Sequence, residues 1–299
     1  MTERTPETPG VAAPAIPAAT VRRCLNCGAA LTGRYCANCS QAAEVHVPST
    51  RELLHEALEG LTHSDSRLWS TLSLLWFVPG KLTQEFIAGR RAAYLPPFRL
   101  YLVLSVIFFL VASLSPVGVE IVHFDNPSAG VNSTPPDCAH LKLSLYGRDF
   151  GPRLQHACGE IARDNGANLL HVSISTMPKA MFIFLPLVAF LHMLLYWRPR
   201  HRYAEDLVFF LHLHAFFFSV MTAVVLVSDA DRWPVMAKLG ALAPLLLWSL
   251  PLYSVLAMKR VFGRSWKRTV AKAFALFAVY MVVLFITMTC VFLYAVLQL

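Results

Sequence analysis

Apolar residues gather along this chain in five long runs, and charged residues are concentrated in the stretches between them. The runs cover residues 98–119, 180–197, 207–227, 235–258 and 270–299. A helix needs about 20 residues, at about 1.5 Å each, to cross the hydrocarbon of a bilayer. The last three runs meet that length unaided, and the first two draw on their flanks. The pattern predicts an all-α membrane protein, with about five transmembrane helices within residues 96–299. Pro186, Pro244 and Pro251 fall inside the runs and are expected to kink them. Residues 115–177 are expected as a loop, holding one helix over 152–165 that Asn165-Gly166 would stop.

The N-terminal part reads differently. Residues 1–21 are rich in Pro, Ala and Thr, cannot build a core, and are expected as a disordered tail. They lack the basic start and unbroken apolar stretch of a signal peptide. Residues 50–95 alternate apolar and polar positions in the manner of amphipathic or interfacial helices. Ser49 or Thr50 is placed to cap a first helix whose apolar side is Leu53, Leu54, Ala57, Leu58 and Leu61. A second, over 66–78, is too short to span and ends at Pro79-Gly80. Its Trp69, Trp76 and Phe77 suit either a headgroup-level helix or one packed on the bundle.

Composition agrees with a membrane chain. Of 299 residues, 56% are apolar and only 15% charged, where a soluble domain carries about 25% charged. The formal charge of +8 raises the question of nucleic acid. Yet the basic residues flank the apolar runs, which favours topology and anionic headgroups instead. Lys81, Arg90, Arg91 and Arg99 precede run one, and Arg198, Arg200 and Arg202 join runs two and three. Lys259, Arg260, Arg264, Lys267 and Arg268 join runs four and five. This bias predicts a multi-pass inner-membrane protein with its N-terminus in the cytosol and its C-terminus in the periplasm. Cys138 and Cys158 then face the oxidising side, and a disulfide there would close a loop of about 20 residues, worth about 3 kcal/mol.

Residues 22–41 hold the most specific motif: Cys24-Leu25-Asn26-Cys27-Gly28, then Cys36-Ala37-Asn38-Cys39. Two CxxC pairs bring four thiolates to one tetrahedral centre, and a reducing cytosol disfavours two disulfides. A structural zinc knuckle follows, with an iron centre as the alternative. Four sulfur ligands leave no open coordination position, so such a site holds shape rather than performing chemistry. Metal binding would supply the folding energy of so small a unit. One aromatic, Tyr35, beside Arg22, Arg23 and Arg34 is thin for nucleic acid and fits protein contact better.

This order of features resembles a known family. The knuckle is followed by Phe77-Val78-Pro79-Gly80-Lys81 and then by Phe86-Ile87-Ala88-Gly89-Arg90-Arg91-Ala92-Ala93-Tyr94-Leu95-Pro96-Pro97-Phe98-Arg99-Leu100-Tyr101-Leu102. It is similar to the bacterial domain-of-unknown-function family 3667 over residues 24–110, and more loosely through Tyr203–Phe209 and Leu211–Phe216. Ser40 stands where such knuckles more often carry Gly. The resemblance implies membrane location and zinc, and no activity.

Ionisable groups within spanning runs remain as candidates. His192, Glu205 and His212, with His201 nearby, are spaced to form a polar cluster about 8 Å below the cytosolic boundary. Such a cluster could serve a metal, a haem or a proton, but its shallow depth favours histidines bonded to carbonyls or headgroups. No phosphate-binding loop, HExxH or nucleophile elbow is present. Three functions are consistent with these features. The first is a non-enzymatic scaffold or regulatory protein whose knuckle meets a protein partner. The second is a small-solute or ion transporter using the histidines, and the third, ranked last, a haem or metal oxidoreductase.

Overall fold

Each of the five apolar runs falls on a helix in the computed structural model of this protein, which describes residues 22–44, 67–115, 138, 144–145, 148–149, 151–164, 166–195, 202–230, 240–263 and 265–298. The disordered tail, the helix expected near 51–61 with its Ser49 or Thr50 cap, and His201 lie outside the described residues. The chain divides into two units, Met1–Val45 and His46–Leu299. The described residues of the second unit are all-α apart from a hairpin of two-residue strands, β1 (Ser144–Leu145) and β2 (Arg148–Asp149). Its helices are α1 (Leu68–Phe77), α2 (Lys81–Ile87), α3 (Pro97–Leu114), α4 (Gly151–Asp164), α5 (Ala167–Leu195), α6 (Tyr203–Ala230), α7 (Ala243–Phe262) and α8 (Trp266–Gln298). Among the described residues, five segments are long and apolar enough to cross a membrane: α3, most of α5 and of α6, Gly240–Phe262 and α8.

Helix α6 is the centre of the bundle. It packs against α3, α5 and α7, while α8 closes on α5 and α7. Val208, Phe209, Phe210, Leu211, Ala215, Phe218 and Val220 of α6 are all buried. Aromatic rings provide much of the interlock. Phe218 meets Tyr101, Phe108 and Phe109 of α3, and Phe216 stacks on Tyr253 of α7 at 3.7 Å. Such contacts add about 0.5–1.5 kcal/mol per pair beyond the area buried. On the periphery, Phe274, Phe277 and Phe285 of α8 and Trp248 of α7 are largely exposed, as expected of side chains that meet lipid.

The spans depart most from their sequence estimates at two places, each with a local cause. The second begins well before residue 180, because α5 starts at Ala167. Its first turns carry Ser173 and Thr176, whose hydroxyls donate to the Leu169 and Val172 carbonyls at 2.7 Å. Polar side chains satisfied within their own helix no longer break it. Loop 115–177 is shortened accordingly. Pro178 and Pro186 lie inside α5 and Pro251 inside α7, but Pro244 sits in the first turn of α7. There its missing N–H costs nothing, and it starts the helix rather than kinking it. Helix α4 matches the expected 152–165 segment, and Gly166 turns the chain with φ +80°.

The α1–α2 hairpin is docked on the bundle and shows what Val78-Pro79-Gly80-Lys81 is for. Gly80 adopts φ +75°, and a Cβ there would lie 2.9 Å from both Cα and O of Ala257 in α7. Only glycine tolerates both the conformation and that approach. Gln84 donates to the Arg260 carbonyl at 2.8 Å, and the Arg260 guanidinium donates to the Pro79 carbonyl. Thr71, fully buried on α1, accepts the Leu95 N–H at 3.0 Å. This bond ties α1 to the loop that enters α3, where Pro96 is extended and Pro97 opens the helix. Of the two readings of the 66–78 helix, Leu75 and Trp76 follow the packed one, Trp76 meeting Phe216 edge-on, while Trp69 and Phe77 remain exposed.

Buried Glu85 on α2 pairs with Arg90 through two bonds and with Lys81 at 2.9 Å. The Arg90 guanidinium, with Lys81 behind it, holds the Glu85 carboxyl down at about 2. This ion cluster closes α2 against Gly89-Arg90, where Gly89 turns with φ +84°.

Candidate metal centre and buried polar pairs

The cysteine unit is two copies of one turn. In the first, the Cys24 N–H donates to Ala29 O, Gly28 N–H to Cys24 O and Leu31 N–H to Arg22 O. In the second, the Cys36 N–H donates to Gln41 O, Ser40 N–H to Cys36 O and Ala43 N–H to Arg34 O. Every donor and acceptor recurs twelve residues later. The bridges Arg23–Ala30 and Tyr35–Ala42 obey the same shift. Sequence reasoning missed this repeat, although Arg22, Cys24, Asn26, Cys27 and Ala30 each have an identical residue at that interval.

The repeat places four sulfurs within 4.8 Å of one another. Cys24 and Cys39 are 3.6 Å apart, and Cys27 and Cys36 are 3.5 Å apart. A disulfide needs about 2.05 Å, whereas four thiolates about 2.3 Å from one tetrahedral ion stand about 3.8 Å apart. The cradle therefore fits a metal ion.

Its electrostatics favour anionic sulfur at Cys24 and Cys27. The Cys27 N–H lowers the Cys24 thiol, and the Ala29 N–H, with the Asn38 amide, brings Cys27 down to about 6. Asn26 reaches the other way, to Cys39. The two asparagines thus cross between the halves. Cys39 is pushed up to about 11 because the Gln41 N–H, which favours its thiolate, is outweighed by desolvation and the nearby sulfurs. Four adjacent thiolates require a cation among them.

Gly28 turns with φ +76°, and its counterpart Ser40 takes φ +58°, alone among the described non-glycine residues in being left-handed. That conformation costs a side-chain-bearing residue about 1–2 kcal/mol. The departure noted in the sequence is thus accommodated without moving a ligand.

Within the bundle, the polar residues form separate pairs. His192 of α5 and Asp206 of α6 are fully buried, with Nδ1 and Oδ1 2.5 Å apart. The rings of Phe209, Phe210 and Phe262 surround the imidazole at 5.8, 5.3 and 4.9 Å. His212, grouped with His192 by spacing, instead meets Thr83 of α2, with Nδ1 3.0 Å from the hydroxyl. Glu205 is half-buried and joins neither histidine in these bonds. One helical residue is a rotation of about 100°, so it is Asp206 that shares the Phe209–Phe210 face toward α5. His214 forms a third pair. Its Nδ1 is 2.9 Å from the Phe210 carbonyl, which can only accept, so Nδ1 carries the proton and Nε2 accepts from the Tyr280 hydroxyl at 3.3 Å.

Sequence reasoning passed over Asp206, Thr83 and Tyr280. A signal existed only for Asp206: an acid that precedes two phenylalanines at helical spacing. The loop cysteines Cys138 and Cys158 are joined as a disulfide, which fastens residue 138 of the loop to α4. Lys272 of α8 donates to the Leu195 carbonyl at the end of α5, at 2.9 Å, a cation placed at a helix C-terminus.

Residues 65–109 match the model of a family described as a protein of unknown function (DUF3667), the family that the sequence resembles. The matched segment covers the α1–α2 hairpin and the first part of α3, and it stops short of the knuckle. No curated protein and no solved structure matches the chain.

Proposed function

We propose that this chain is a non-enzymatic scaffold or regulatory protein of a bacterial inner membrane, whose cytosolic head is folded by one structural zinc ion and engages a protein partner. The observation that carries this reading is the closed set of four sulfurs. Cys24, Cys27, Cys36 and Cys39 would supply all four ligands, which leaves no position for a substrate or a water. Zinc suits a tetrahedral all-thiolate set in a reducing compartment. The head also presents apolar surface to solvent, with Leu25 54% and Tyr35 68% exposed. Exposed apolar residues beside Arg22, Arg23 and Arg34 make a contact face suited to a protein.

Orientation follows the charges. Lys259, Arg260, Lys267 and Arg268 gather where α7 meets α8, and the Cys138–Cys158 disulfide belongs to the opposite ends of the spans. Thiols in the cytosol and a disulfide outside favour an N-terminus in and a C-terminus out. A transport path through His192 and His212 is less favoured, because each is held by its own partner, Asp206 or Thr83.

The test uses full-length protein in detergent. Metal analysis should find one zinc per chain. Leu25→Ser with Tyr35→Ala should retain that zinc and lose a partner that the wild type captures after in-cell crosslinking. Capture insensitive to both substitutions, or a metal other than zinc, would sink this reading.

A further inference from the structure

A cleft of about 550 Å³ opens between α6, α7 and α8, within segments apolar enough to span a membrane. Its wall is mostly hydrocarbon, typified by Phe217, Pro251, Met258 and Phe277. Three polar side chains interrupt it: His214, Ser254 and Tyr280. None of the described residues that line it is charged. The volume lies within the range that ligand sites occupy, and a few convergent polar groups in an apolar wall mark such sites.

The hydrogen bonds already made restrict what those polar groups can still do. Ser254 spends its proton on the Leu250 carbonyl at 2.8 Å. Tyr280 spends its proton on His214 Nε2, and His214 spends its own on the Phe210 carbonyl. What remains is lone pairs on the Ser254 and Tyr280 oxygens. A ligand that satisfies them must bring a donor. A charged headgroup would enter without a counter-charge and pay its full desolvation cost. Molecules that reach a cleft among spanning helices arrive through lipid, so the body of the ligand must be apolar.

We propose that this cleft binds an uncharged membrane lipid that carries one hydroxyl, its hydroxyl donating to the Tyr280 oxygen and its chain lying along Phe217, Phe277 and Met258. Two sources share that chemistry, a diacylglycerol and a long-chain isoprenol. The proposal does not depend on the metal or partner of the N-terminal head.

The experiment is photo-labelling of the full-length protein in vesicles with diazirine-bearing diacylglycerol, farnesol or phosphatidylglycerol, followed by mapping of the labelled peptides. One or both hydroxyl probes should label the 270–280 segment of α8 and be competed by the unlabelled compound, and the better probe identifies the source. Tyr280→Phe should reduce that labelling about fivefold, the effect of one lost hydrogen bond. Ala273→Trp, which fills the cleft, should abolish it. Equal labelling by phosphatidylglycerol, or labelling that unlabelled lipid does not compete, would reduce the cleft to ordinary lipid contact and overturn the proposal. The competition on wild-type protein reads the site even if the tryptophan variant fails to accumulate.

Discussion

The cysteine unit and the helical unit solve the problem of a stable interior in opposite ways. Among the described residues of the first, only Cys24, Cys36 and Gln41 are buried, and its order comes from six backbone hydrogen bonds around four sulfurs. The second buries a continuous cluster of aliphatic and aromatic side chains that runs from Leu75 to Val283. A unit of some twenty residues is too small for a hydrophobic core, and ligand bonds to an ion held by the four sulfurs would replace it. The helical unit relies on that cluster, and its buried histidines and acids among the described residues each have a polar partner. One region depends on a few bonds that fail together, and the other on many contacts that fail one by one.

The comparison is tested most severely by removing one sulfur. Cys36→Ser should release the metal and unfold the N-terminal unit entirely, while the helical unit keeps its detergent-solution melting temperature. Protease digestion with metal analysis would read both, and a coupled loss of the bundle would break the distinction. Next in size is the buried pair. Asp206→Leu leaves the His192 imidazole facing an apolar side chain and should cost about 3–5 kcal/mol. The double change His192→Phe with Asp206→Leu should recover most of that loss in a thermal melt.

Gly80→Ala comes third. It forces a Cβ to 2.9 Å from the Ala257 backbone and should lower stability by about 1–3 kcal/mol. Hydrogen exchange should show the loss as opening of the α1–α2 hairpin before the bundle. The Glu85 cluster adds a pH signature. Its carboxyl is held at about 2, below its ordinary 4.5, so the stabilisation is complete above about 4.5 and fades as pH falls toward 2. Glu85→Gln should remove that part of the acid sensitivity, read as a flatter stability curve over this window. The smallest effect belongs to Ser40→Gly. Relief of the left-handed strain, less the added freedom of the unfolded chain, leaves about 0.5 kcal/mol in favour of the variant. It should appear as slower metal loss to a chelator.

Much of this architecture was legible without coordinates. The two CxxC pairs named the four sulfurs because ligand spacing is local: each pair sits on one turn, and the turns repeat. The five spans were legible because length and hydropathy are properties of a segment alone. The start of α5 was not legible, since the hydroxyls of Ser173 and Thr176 look polar until their bonds to Leu169 and Val172 are known.

What the sequence by itself determined, then, lies within single helices and turns: the four clustered sulfurs, the number of spans among the described residues, and the hairpin glycine as a break. What only the tertiary structure decided is the rotation of each helix against its neighbours. Helix α6 is apolar on nearly every side, so no polar stripe in its sequence states which face meets α5 and which meets α2. Packing made that choice, and with it gave Asp206 rather than Glu205 to His192, Thr83 to His212 and Tyr280 to His214. In a helix without a polar face, rotation is set by the fit of side chains between helices, and that fit is a property of the whole bundle.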